Sequence, residues 1–403
     1  MIGKNKQPGK LIVQKYGGAT LADPAKIKEV AKRIAEYARE GTQLIAVVSA
    51  MGKTTNSLID LANQVSGNPH LRELDMLLTV GERISMSLVS MALNDLGCQA
   101  ISFTGSQAGI FTDRSHVNAF IQDVKPIRVQ EALDQNKVVI LAGFQGVSPE
   151  TKEITTLGRG GSDTSAVAMA AYFKADRCEI LKDVPAVFTA DPRLVSDAKA
   201  LHQLNYDQLM EMTFWGAKVL HYRSVELAKQ REVTLYIGPA SNKTDEGTLV
   251  KKGLNMFESS KVLSLNSHET VLQIYCESTS IAEALKKFQQ TLEQKQIAFP
   301  QLLHAETQGN RQSLLLTGPQ EITTAIKNEI KSFKGITLQP TDFSTVTATC
   351  TGVTSPQIIQ SALESLEKEK IKVHHTIISA MSTTMLIESK QREQALATLH
   401  KMI

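Results

Sequence analysis

Two glycine-rich segments of the chain carry charged residues of the kind that handle phosphate groups. The first, residues 14–20 (QKYGGAT), follows an apolar run and precedes a helical pattern. Its paired glycines let backbone N–H groups approach phosphate oxygens, and Lys15 can neutralise charge on a phosphoryl group in transfer. Two glycines at the end of a strand are also a common tight turn, so this segment alone leaves both interpretations open.

The second segment, residues 157–164 (LGRGGSDT), stands at the entrance of an alanine-rich helical pattern. Arg159 can hold a carboxylate through two parallel hydrogen bonds, and Asp163 is an acceptor that can orient lysines or a metal. A loop with a purely structural role has little need of an arginine and an aspartate among three glycines. The segment therefore favours a binding site.

Residues 48–56 (VSAMGKTTN) contain GKTT, which invites a Walker A interpretation. That motif needs a glycine five positions before Gly52, and this position is Val47, so the segment is not a P-loop. Its hydroxyl groups can instead bind a polar substrate or a phosphate, or they only cap the next helix.

A fourth segment, residues 182–193 (KDVPAVFTADPR), offers a carboxylate, an aromatic edge and backbone groups suited to a nucleotide base and ribose. Each of its parts taken singly is an ordinary turn. Glu82, in the sequence GER at a helix start, is a further candidate. From pattern alone it is better explained as a favourable charge on the helix dipole.

Strands and helices that can position these segments alternate from residue 11 to about residue 251. Continuous runs of Val, Ile and Leu separated by helices predict an α/β fold with an open, mainly parallel sheet sandwiched by helices. In such sheets ligands bind at the ends of strands, where the segments stand. The predicted strands are 11–13, 44–49, 100–104, 138–143, 179–181 and 234–237, and the predicted helices are 24–40, 57–63, 82–96, 129–135 and 163–173.

The pattern changes after residues 242–253 (NKTDEGTLVKKG), where we place a domain boundary. Beyond it a small β-α-β-β-α order occurs twice, which predicts two ferredoxin-like units after a catalytic domain of residues 1–250. These units span residues 262–340 and 341–403. The second lacks a final strand, and we expect the spare strand 262–265 to complete its sheet.

Composition excludes several classes of protein. The 403 residues are 42% hydrophobic and 21% charged, and the net charge of +3 argues against a dedicated nucleic-acid binder. The four cysteines are far apart, so we expect reduced thiols rather than disulfides or zinc. No apolar run reaches membrane-span length, and residues 1–10 do not resemble a signal peptide, so we expect a cytoplasmic protein without a membrane partner.

Other potential sites are weak. The chain contains no GxSxG elbow, no HExxH and no GxGxxG followed by an acidic residue. His374 and His375 are neighbours in a predicted strand and face opposite ways, so they are poor co-ligands of a metal. Trp215 and Phe214 are expected in the core.

Seven segments together resemble the aspartokinase family in order and spacing: KYGGAT, VVSAMGKTTN, GERIS, FTGSQAG, TTLGRGGSD, DVPAVFTADPR and GAKVLH. The resemblance covers residues 10–250 and is specific, because sibling kinases share only the glycine-rich loops. It implies an amino-acid kinase domain that transfers the γ-phosphoryl group of ATP, with Mg²⁺ bridging phosphates, to the β-carboxylate of L-aspartate. The product would be 4-phospho-L-aspartate, in the first step of lysine, threonine and methionine biosynthesis.

The resemblance also implies roles for individual residues. Lys15 and Lys218 would stabilise charge on the transferring group, and Asp163 would organise both lysines. Arg159 would grip the α-carboxylate of aspartate and Glu82 its ammonium, which overturns the helix-dipole interpretation of Glu82. No side chain is predicted as a metal ligand. The pocket would be completed by Ser49, Thr55 and Ser162, and the ATP-binding residues would be Lys15, Gly17, Gly18, Ala19, Lys182, Asp183, Phe188, Asp191, Arg193 and Lys218.

The C-terminal duplication resembles the paired ACT domains of aspartokinases, which bind lysine or threonine and mediate dimerisation. The family's Asp-x-Pro-Gly turn is replaced here by residues 277–280 (ESTS), and Pro356 of the second unit is not followed by glycine. Because that turn shapes the effector pocket, we expect weakened feedback by lysine or threonine. The ACT region is expected to form a homodimer or a higher homo-oligomer.

Two other functions stay open at this point. One is a sibling kinase that acts on acetylglutamate, carbamate or a nucleotide, against which GERIS and the C-terminal duplication favour aspartate. The other is a catalytically silent amino-acid sensor. The presence of Lys15, Arg159, Asp163 and Lys218 together argues against that sensor, because an inactive scaffold has no physical need for all four.

Overall fold

The computed structural model describes residues 10–67, 69–240, 247–253, 260–295 and 297–403, which form two units. Within this range the N-terminal unit comprises residues 10–187, 200–210 and 218–253, and the C-terminal unit comprises residues 188–199, 211–217 and 260–403. The first part of the sequence-predicted boundary, residues 242–246, lies outside the described residues. The domain limits therefore stay a prediction.

The first part of the chain alternates strands and helices as expected. The strands are β1 (Leu11–Tyr16), β2 (Gln43–Val48), β3 (Ala100–Phe103), β4 (Ile110–Thr112), β5 (Ile121–Val124), β6 (Val138–Ala142), β7 (Gln145–Val147), β8 (Ile154–Thr156), β9 (Arg177–Lys182), β10 (Val187–Phe188), β11 (Ala200–Leu201), β12 (Gln203–Leu204), β13 (Leu235–Pro239) and β14 (Thr248–Val250). The helices are α1 (Pro24–Arg39), α2 (Thr54–Val65), α3 (Leu71–Leu78), α4 (Val80–Asp95), α5 (Ile127–Asp134), α6 (Gly161–Phe173), α7 (Tyr206–Phe214) and α8 (Tyr222–Gln230).

The main sheet of the N-terminal unit has the order β12-β14-β13-β9-β1-β2-β6-β3. Its pairs are parallel except β13 with β14, which confirms the mainly parallel prediction. Tyr16, at the end of β1, pairs with Val48 of β2 and with Leu181 of β9. The loops that follow these three strands therefore all start at the carboxyl-terminal end of the sheet.

Local sequence explains how α1 begins. Asp23 accepts a hydrogen bond of 2.9 Å from the Lys26 amide, and Pro24 is the first helical residue. The apolar residues Ile27, Val30 and Ile34 follow at helical spacing and are buried in the core that α1 shares with β1 and β2. The helix is thus fixed by its cap and by its apolar stripe together.

Two features of this unit were not predicted. A second sheet has the order β5-β4-β7-β8 and is built from strands of three or four residues. Helices α3 and α4 form a segment, Leu71–Asp95, that is long and apolar enough to cross a membrane by length and composition alone. However, 44% of its most apolar window is buried in the protein, and α4 packs on α1, β3 and β6. The segment is thus accounted for as a core helix pair.

The C-terminal unit contains the predicted duplication. Its elements are β15 (Val262–Asn266), β16 (Val271–Cys276), α9 (Ile281–Gln294), β17 (Gln301–Gln308), β18 (Arg311–Thr317), α10 (Gln320–Glu329), β19 (Ile336–Leu338), β20 (Phe343–Cys350), α11 (Pro356–Lys368), β21 (His375–Ile378), β22 (Ser382–Glu388) and α12 (Arg392–His400). The first half is β16-α9-β17-β18-α10-β19. The second half is β20-α11-β21-β22-α12, and the spare strand β15 pairs with its β20.

One antiparallel sheet joins the two halves in the order β17-β18-β16-β20-β22-β21. Helices α9 and α10 cover one face of the first half, and α11 and α12 cover one face of the second. The opposite faces of both halves contribute to a separate apolar cluster that contains Trp215, which confirms Trp215 as a core residue. This helix-free cluster is formed by Trp215, Val271, Leu303, Leu315, Phe343 and Leu386, with Phe214 and Ile377 packed against it.

Candidate active site

Lys15 and Asp163 form a buried ion pair at the carboxyl end of β1. Lys15 Nζ lies 2.7 Å from Asp163 Oδ1, and the two side chains are 9% and 7% exposed. Lys15 belongs to β1, and Asp163 lies in the first turn of α6, which packs on β1. The pairing offsets the cost of burying both charges. It also holds Lys15 Nζ beside the glycine loop, 3.7 Å from the position that a Cβ atom on Gly17 would occupy.

The loop after β1 and the loop after β2 contact each other through their backbones. The Gly52 amide donates to the Gly18 carbonyl at 3.0 Å, and the Ser49 amide donates to the Tyr16 carbonyl at 3.1 Å. A Cβ atom on Gly18 would lie 2.8 Å from the Ala50 carbonyl oxygen, so this approach requires glycine. The two loops thus form one backbone-lined wall beside Lys15.

The loop before α6 adopts a conformation that its glycines make possible. Gly158 and Gly160 have φ angles of 73° and 68°, in the left-handed region. A Cβ atom on Gly160 would lie 2.2 Å from the Cβ atom of His221, the residue that precedes α8. Burial, and then the charge of Arg223, lower the pKa of His221 to about 4, so its imidazole is neutral at pH 7. His221 therefore acts as a packing surface for this loop.

Glu82 is a buried carboxylate that is only partly satisfied. It is 3% exposed, and its Oε1 accepts a hydrogen bond of 3.0 Å from the Ala50 amide. Its Oε2 has no hydrogen-bond partner in the described structure. Burial raises the pKa of Glu82 to about 7. An unsatisfied carboxylate oxygen beside the β2 loop is suited to bind a cation, such as the ammonium group of an amino acid.

Lys182, at the end of β9, lies in the electrostatic field of the Lys15–Asp163 pair. Burial lowers its pKa, and Lys15 lowers it further, whereas Asp163 and the neighbouring Asp183 raise it. Asp183 itself is exposed. Two lysines from adjacent strands thus stand near one buried aspartate, an arrangement suited to a polyanionic ligand.

Other predicted substrate and phosphate residues of the N-terminal unit differ in exposure. Ser162 is buried, and its Cβ atom would lie 2.8 Å from a Cβ atom on Gly143, so the start of α6 packs tightly on the β6 loop. Arg159 stands exposed between two left-handed glycines. Lys218 is exposed three residues before His221. Ser49 and Thr55 are half-buried, and Ala19 is exposed.

Three residues predicted for the nucleotide, Phe188, Asp191 and Arg193, belong to the C-terminal unit. There Arg193 Nη2 lies 2.7 Å from Asp191 Oδ2, and Arg193 Nε donates to Asp191 Oδ1 at 3.0 Å. Phe188 is half-buried. A role for these three residues in ATP binding stays a prediction.

Asp75 is a structural residue that the sequence analysis missed. It is fully buried in α3, and its carboxylate accepts hydrogen bonds from the Thr156 hydroxyl at 2.6 Å and from the Val117 amide at 3.0 Å. Its Oδ2 also lies 2.6 Å from His116 Nδ1. Val117 has a φ of 66°, which is strained for a β-branched residue. Asp75 thus holds this strained segment in place.

The segment held by Asp75 lies directly against the loop that carries Arg159. A Cβ atom on Gly158 would lie 2.7 Å from Asn118 Oδ1. Arg223 of α8 donates to Asn118 Oδ1 at 2.8 Å and to the Leu157 carbonyl at 2.9 Å. The left-handed loop is therefore supported from two sides, by residues distant in sequence.

A polar network also lies inside the main sheet. Glu179 of β9 is fully buried, accepts a hydrogen bond of 2.8 Å from Gln14, and pairs with Arg177 at 2.6 Å. The Tyr16 hydroxyl donates to Gln14 Oε1 at 2.9 Å, and burial raises the pKa of this tyrosine. Because side chains alternate along β1, Gln14 and Tyr16 face away from Lys15. The network supports the strand from the opposite side of the sheet. The sequence signal for this network was Glu179, a charged residue among the apolar residues of strand β9.

Comparison with known proteins gives a consistent result. The amino acid kinase family matches residues 10–239. The aspartokinase of Mycolicibacterium smegmatis is 54% identical over 241 residues, which is 60% of this chain and 57% of that protein. The chain thus aligns with little more than half the length of this relative. The aspartokinase of Bacillus sp. strain MGA3 is 37% identical over 399 residues, 97% of this chain and 96% of that protein.

The fold has a solved counterpart. Aspartokinase III of E. coli, crystallised with aspartate and ADP, superimposes with a TM-score of 0.79 over 98% of this chain and 100% of that one, at 20% identity. At this identity the likeness concerns the fold. It includes both the parallel-sheet unit and the duplicated C-terminal unit.

Proposed function

The chain belongs to the amino acid kinase family, and within it to the aspartokinases, and we propose that it phosphorylates L-aspartate with ATP. A β-carboxylate oxygen of aspartate attacks the γ-phosphorus, the bond from the γ-phosphorus to the β–γ bridging oxygen breaks, and ADP leaves with that electron pair. The product is 4-phospho-L-aspartate. A carboxylate is already a nucleophile at neutral pH, so the reaction needs no general base.

The observation that carries this proposal is the buried Lys15–Asp163 pair, 2.7 Å apart, beside two glycine loops. Charge accumulates on the phosphoryl oxygens during transfer, and a lysine fixed in advance stabilises that charge without reorganisation. Asp163 holds the Lys15 side chain in position. Lys182 adds positive charge from the next strand, and the glycine loops offer backbone N–H groups to phosphate oxygens. Lys218 is proposed as the second catalytic lysine.

Substrate selection is proposed to rest on Glu82 and Arg159. The free Oε2 of Glu82 would accept hydrogen bonds from the α-ammonium group of aspartate. Arg159 would bind the α-carboxylate, and Ser49, Thr55 and Ser162 would complete the polar pocket. An acceptor whose nitrogen is acylated has no ammonium group to offer Glu82, so the buried carboxylate argues against acetylglutamate as the substrate.

ATP is proposed to bind with Mg²⁺ at the loops that follow β1 and β9. Mg²⁺ prefers oxygen ligands and keeps most of them as water and phosphate, so it needs few protein ligands. The exposed carboxylate of Asp183 fits that requirement, whereas Asp163 is engaged by Lys15. The metal would neutralise phosphate charge. Phe188, Asp191 and Arg193 are proposed as further ATP-binding residues.

A hydroxamate assay tests the proposal directly. Purified protein is incubated with ATP, Mg²⁺, hydroxylamine and one acceptor at a time: L-aspartate, N-acetyl-L-aspartate or N-acetyl-L-glutamate. We expect acyl hydroxamate with L-aspartate alone, and ADP in equal amount. Turnover with an N-acetylated acceptor would indicate a sibling kinase. Absence of turnover with every acceptor, in protein that still binds ATP, would support a silent sensor.

The physiological setting follows from the same proposal. The reaction would be the first step toward lysine, threonine and methionine, carried out in the cytoplasm where ATP and aspartate are abundant. The duplicated C-terminal unit supports a homodimer or higher homo-oligomer and allosteric control. Lysine or threonine is the proposed effector, bound weakly because the Pro-Gly turn is replaced.

A further inference from the structure

We propose that His304, Glu306 and His375 form a transition-metal site in the C-terminal unit, best suited to Zn²⁺. His304 Nε2 lies 3.8 Å from Glu306 Oε2, and His375 Nδ1 lies 4.0 Å from Glu306 Oε1. One ligand atom from each of the three side chains lies within 4.8 Å of the others. This site is remote in sequence from the phosphate loops and does not depend on the proposed kinase activity.

The fold brings these residues together although their strands stand at opposite ends of the sheet order. His304 and Glu306 lie on β17, and His375 lies on β21. The rings of His304 and His375 are nevertheless only 4.7 Å apart between centroids. The helix-free faces of the two halves turn toward each other, since Leu303 of β17 and Ile377 of β21 contact the same apolar cluster.

A β-bulge aims His304 into this position. The register of β17 against β18 shifts between Leu302 and His304, and His304 then pairs with Leu315. Paired residues face the same side of an antiparallel sheet, so His304 shares the face of Leu315, which belongs to the helix-free cluster. Glu306 follows two residues later on that same face.

His375 is also assigned to the helix-free face by its cross-strand partner. It pairs with Leu386, another member of the helix-free cluster. The adjacent His374 precedes β21 and has other contacts: its ring lies 5.0 Å from that of Phe343, and its Nε2 lies 3.8 Å from Glu388 Oε1. His375 therefore has its candidate co-ligands on β17, His304 and Glu306, and not in the adjacent His374.

The chemistry of the three groups selects the cation. Two imidazoles and one carboxylate suit Zn²⁺ and its first-row neighbours, whereas Mg²⁺ and Ca²⁺ prefer oxygen ligands. A tetrahedral Zn²⁺ with bonds of about 2.0–2.1 Å holds its ligand atoms about 3.4 Å apart. With one ligand atom from each side chain the observed separations are within 4.8 Å, so the side chains need to close by at most about 1.4 Å.

Burial also fits a bound cation. The three side chains are each between 26% and 31% exposed, so a cation can enter and still be partly shielded from water. A bound ion would tie β17 to β21 and so link the outer strands of the two halves.

The test uses the full, untagged chain and three readouts with zinc or cobalt alone. Zn²⁺ titration calorimetry and elemental analysis should give one Zn²⁺ per chain. Co²⁺ should produce the visible absorption of a four- or five-coordinate nitrogen and oxygen site. The variants His304→Ala, His375→Ala and Glu306→Gln should each bind Zn²⁺ at least about tenfold more weakly. Zn²⁺ should raise the melting temperature of the wild type and not that of these variants.

The matched control is His374→Ala, which removes the adjacent imidazole that contacts Phe343 and Glu388 and is not among the three proposed ligands. It should bind Zn²⁺ like the wild type. Circular dichroism in EDTA checks that each variant is folded, and Glu306→Gln keeps the side-chain shape if a histidine variant does not fold. Equal loss in the control variant, undiminished binding in His304→Ala and His375→Ala, or no binding by the wild type would overturn the proposal.

Discussion

His221 occupies the space that any side chain at Gly160 would need. A Cβ atom on Gly160 would lie 2.2 Å from the His221 Cβ atom, and Gly160 has a left-handed φ of 68°. Because Gly160 lies between Arg159 and the first residue of α6, this contact fixes the position of two predicted site residues, Arg159 and Asp163. Position 160 therefore requires glycine for two reasons, its left-handed backbone conformation and the space that His221 occupies.

We expect Gly160→Ala to lower kcat/KM for aspartate by about a hundredfold, because the loop must move by about an ångström to relieve the clash. Steady-state kinetics with ATP and aspartate measure this. The control is Gly41→Ala, since Gly41 has a φ of 84° with open space around it. That variant carries the same backbone strain of about 1–2 kcal/mol and should keep its turnover. Equal kinetic effects in both variants would contradict the packing argument.

The Lys15–Asp163 pair gives a second prediction. Lys15→Ala should lower kcat at least about a hundredfold, because it removes a charge contact to the transferring phosphoryl group. It should also lower the free energy of unfolding by about 3 kcal/mol, since Asp163 then stays buried without its partner. Circular dichroism confirms folding, and the hydroxamate assay measures turnover. Near-wild-type turnover in this variant would exclude a catalytic role for Lys15.

Glu82 should make aspartate use depend on pH near neutrality. Its pKa is raised to about 7, so the carboxylate that would hold the substrate ammonium loses its charge as the pH falls through 7. We expect kcat/KM for aspartate to fall about tenfold per pH unit below that value. The variant Glu82→Gln should have a low and flat profile over the same range. An unchanged pH profile in this variant would assign the titration to another group.

The raised pKa of Glu82 also makes stability depend on pH, but in the opposite direction to kcat/KM. A carboxyl group whose folded pKa lies above its unfolded value of 4.5 favours the folded state at low pH, and this contribution is lost as the pH rises to about 7. Its size is about 3 kcal/mol, from the difference between a pKa of 4.5 in the unfolded chain and about 7 in the folded one. Glu82→Gln should therefore unfold at a higher urea concentration than the wild type at pH 8, and by less at pH 5. Equal midpoints at pH 8 would contradict this.

A structural element can be predicted from the sequence when it depends on residues that are close together along the chain. It is missed when it depends on contacts with distant residues. The starts of α1, β3 and β6 were predicted correctly because these depend on adjacent residues. Strand β17 was missed since its polar sequence, QLLHAETQ, has no simple alternation, and a bulge interrupts its register. The short strands β4, β5, β7 and β8 are stabilised by pairing with each other, which a local pattern does not contain.

The residues of the candidate site also fall into those that a local motif identifies and those that only distant contacts reveal. Lys15 and Asp163 were identified because each stands in a contiguous glycine-rich motif, and the structure brings them into contact. Asp75 was missed because its partners His116 and Thr156 are 41 and 81 residues away. Arg223 contacts Asn118 across 105 residues. Residues that position a loop from a distance carry no local motif, so they become visible only when the fold is known.

Asp75 offers a stability prediction of its own. Asp75→Ala removes the acceptor of the Thr156 hydroxyl and the Val117 amide, which should lower the free energy of unfolding by about 3 kcal/mol in urea titrations. The released segment supports the Arg159 loop, so the KM for aspartate should also rise. The control is Asp123→Ala, whose ion pair with Lys125 is exposed, so its loss should leave the urea midpoint nearly unchanged. Similar losses in both variants would contradict the role given to Asp75.

The start of α9 bears on effector binding. Residues 277–280 replace the family's Pro-Gly turn, and here the Ser280 hydroxyl accepts from the Glu283 amide at 3.2 Å. Glu283 in turn accepts from the Thr279 amide at 2.9 Å and from its hydroxyl at 2.6 Å. The chain thus satisfies the first turn of the helix with its own side chains, in the manner of a capping box. Groups engaged in this way are less available to an amino-acid effector.

We therefore expect lysine and threonine to bind weakly, with isothermal titration showing no saturation at concentrations that saturate the aspartate site. Each amino acid is titrated separately into the full chain, with and without ATP and Mg²⁺. The variant Ser280→Gly removes the cap hydroxyl and frees the Glu283 amide, so it should bind an effector more tightly if the cap is the cause. Leu71→Ala, a substitution in the N-terminal unit, serves as the control. Tight binding of either amino acid to the unaltered chain would contradict the expectation of weakened regulation.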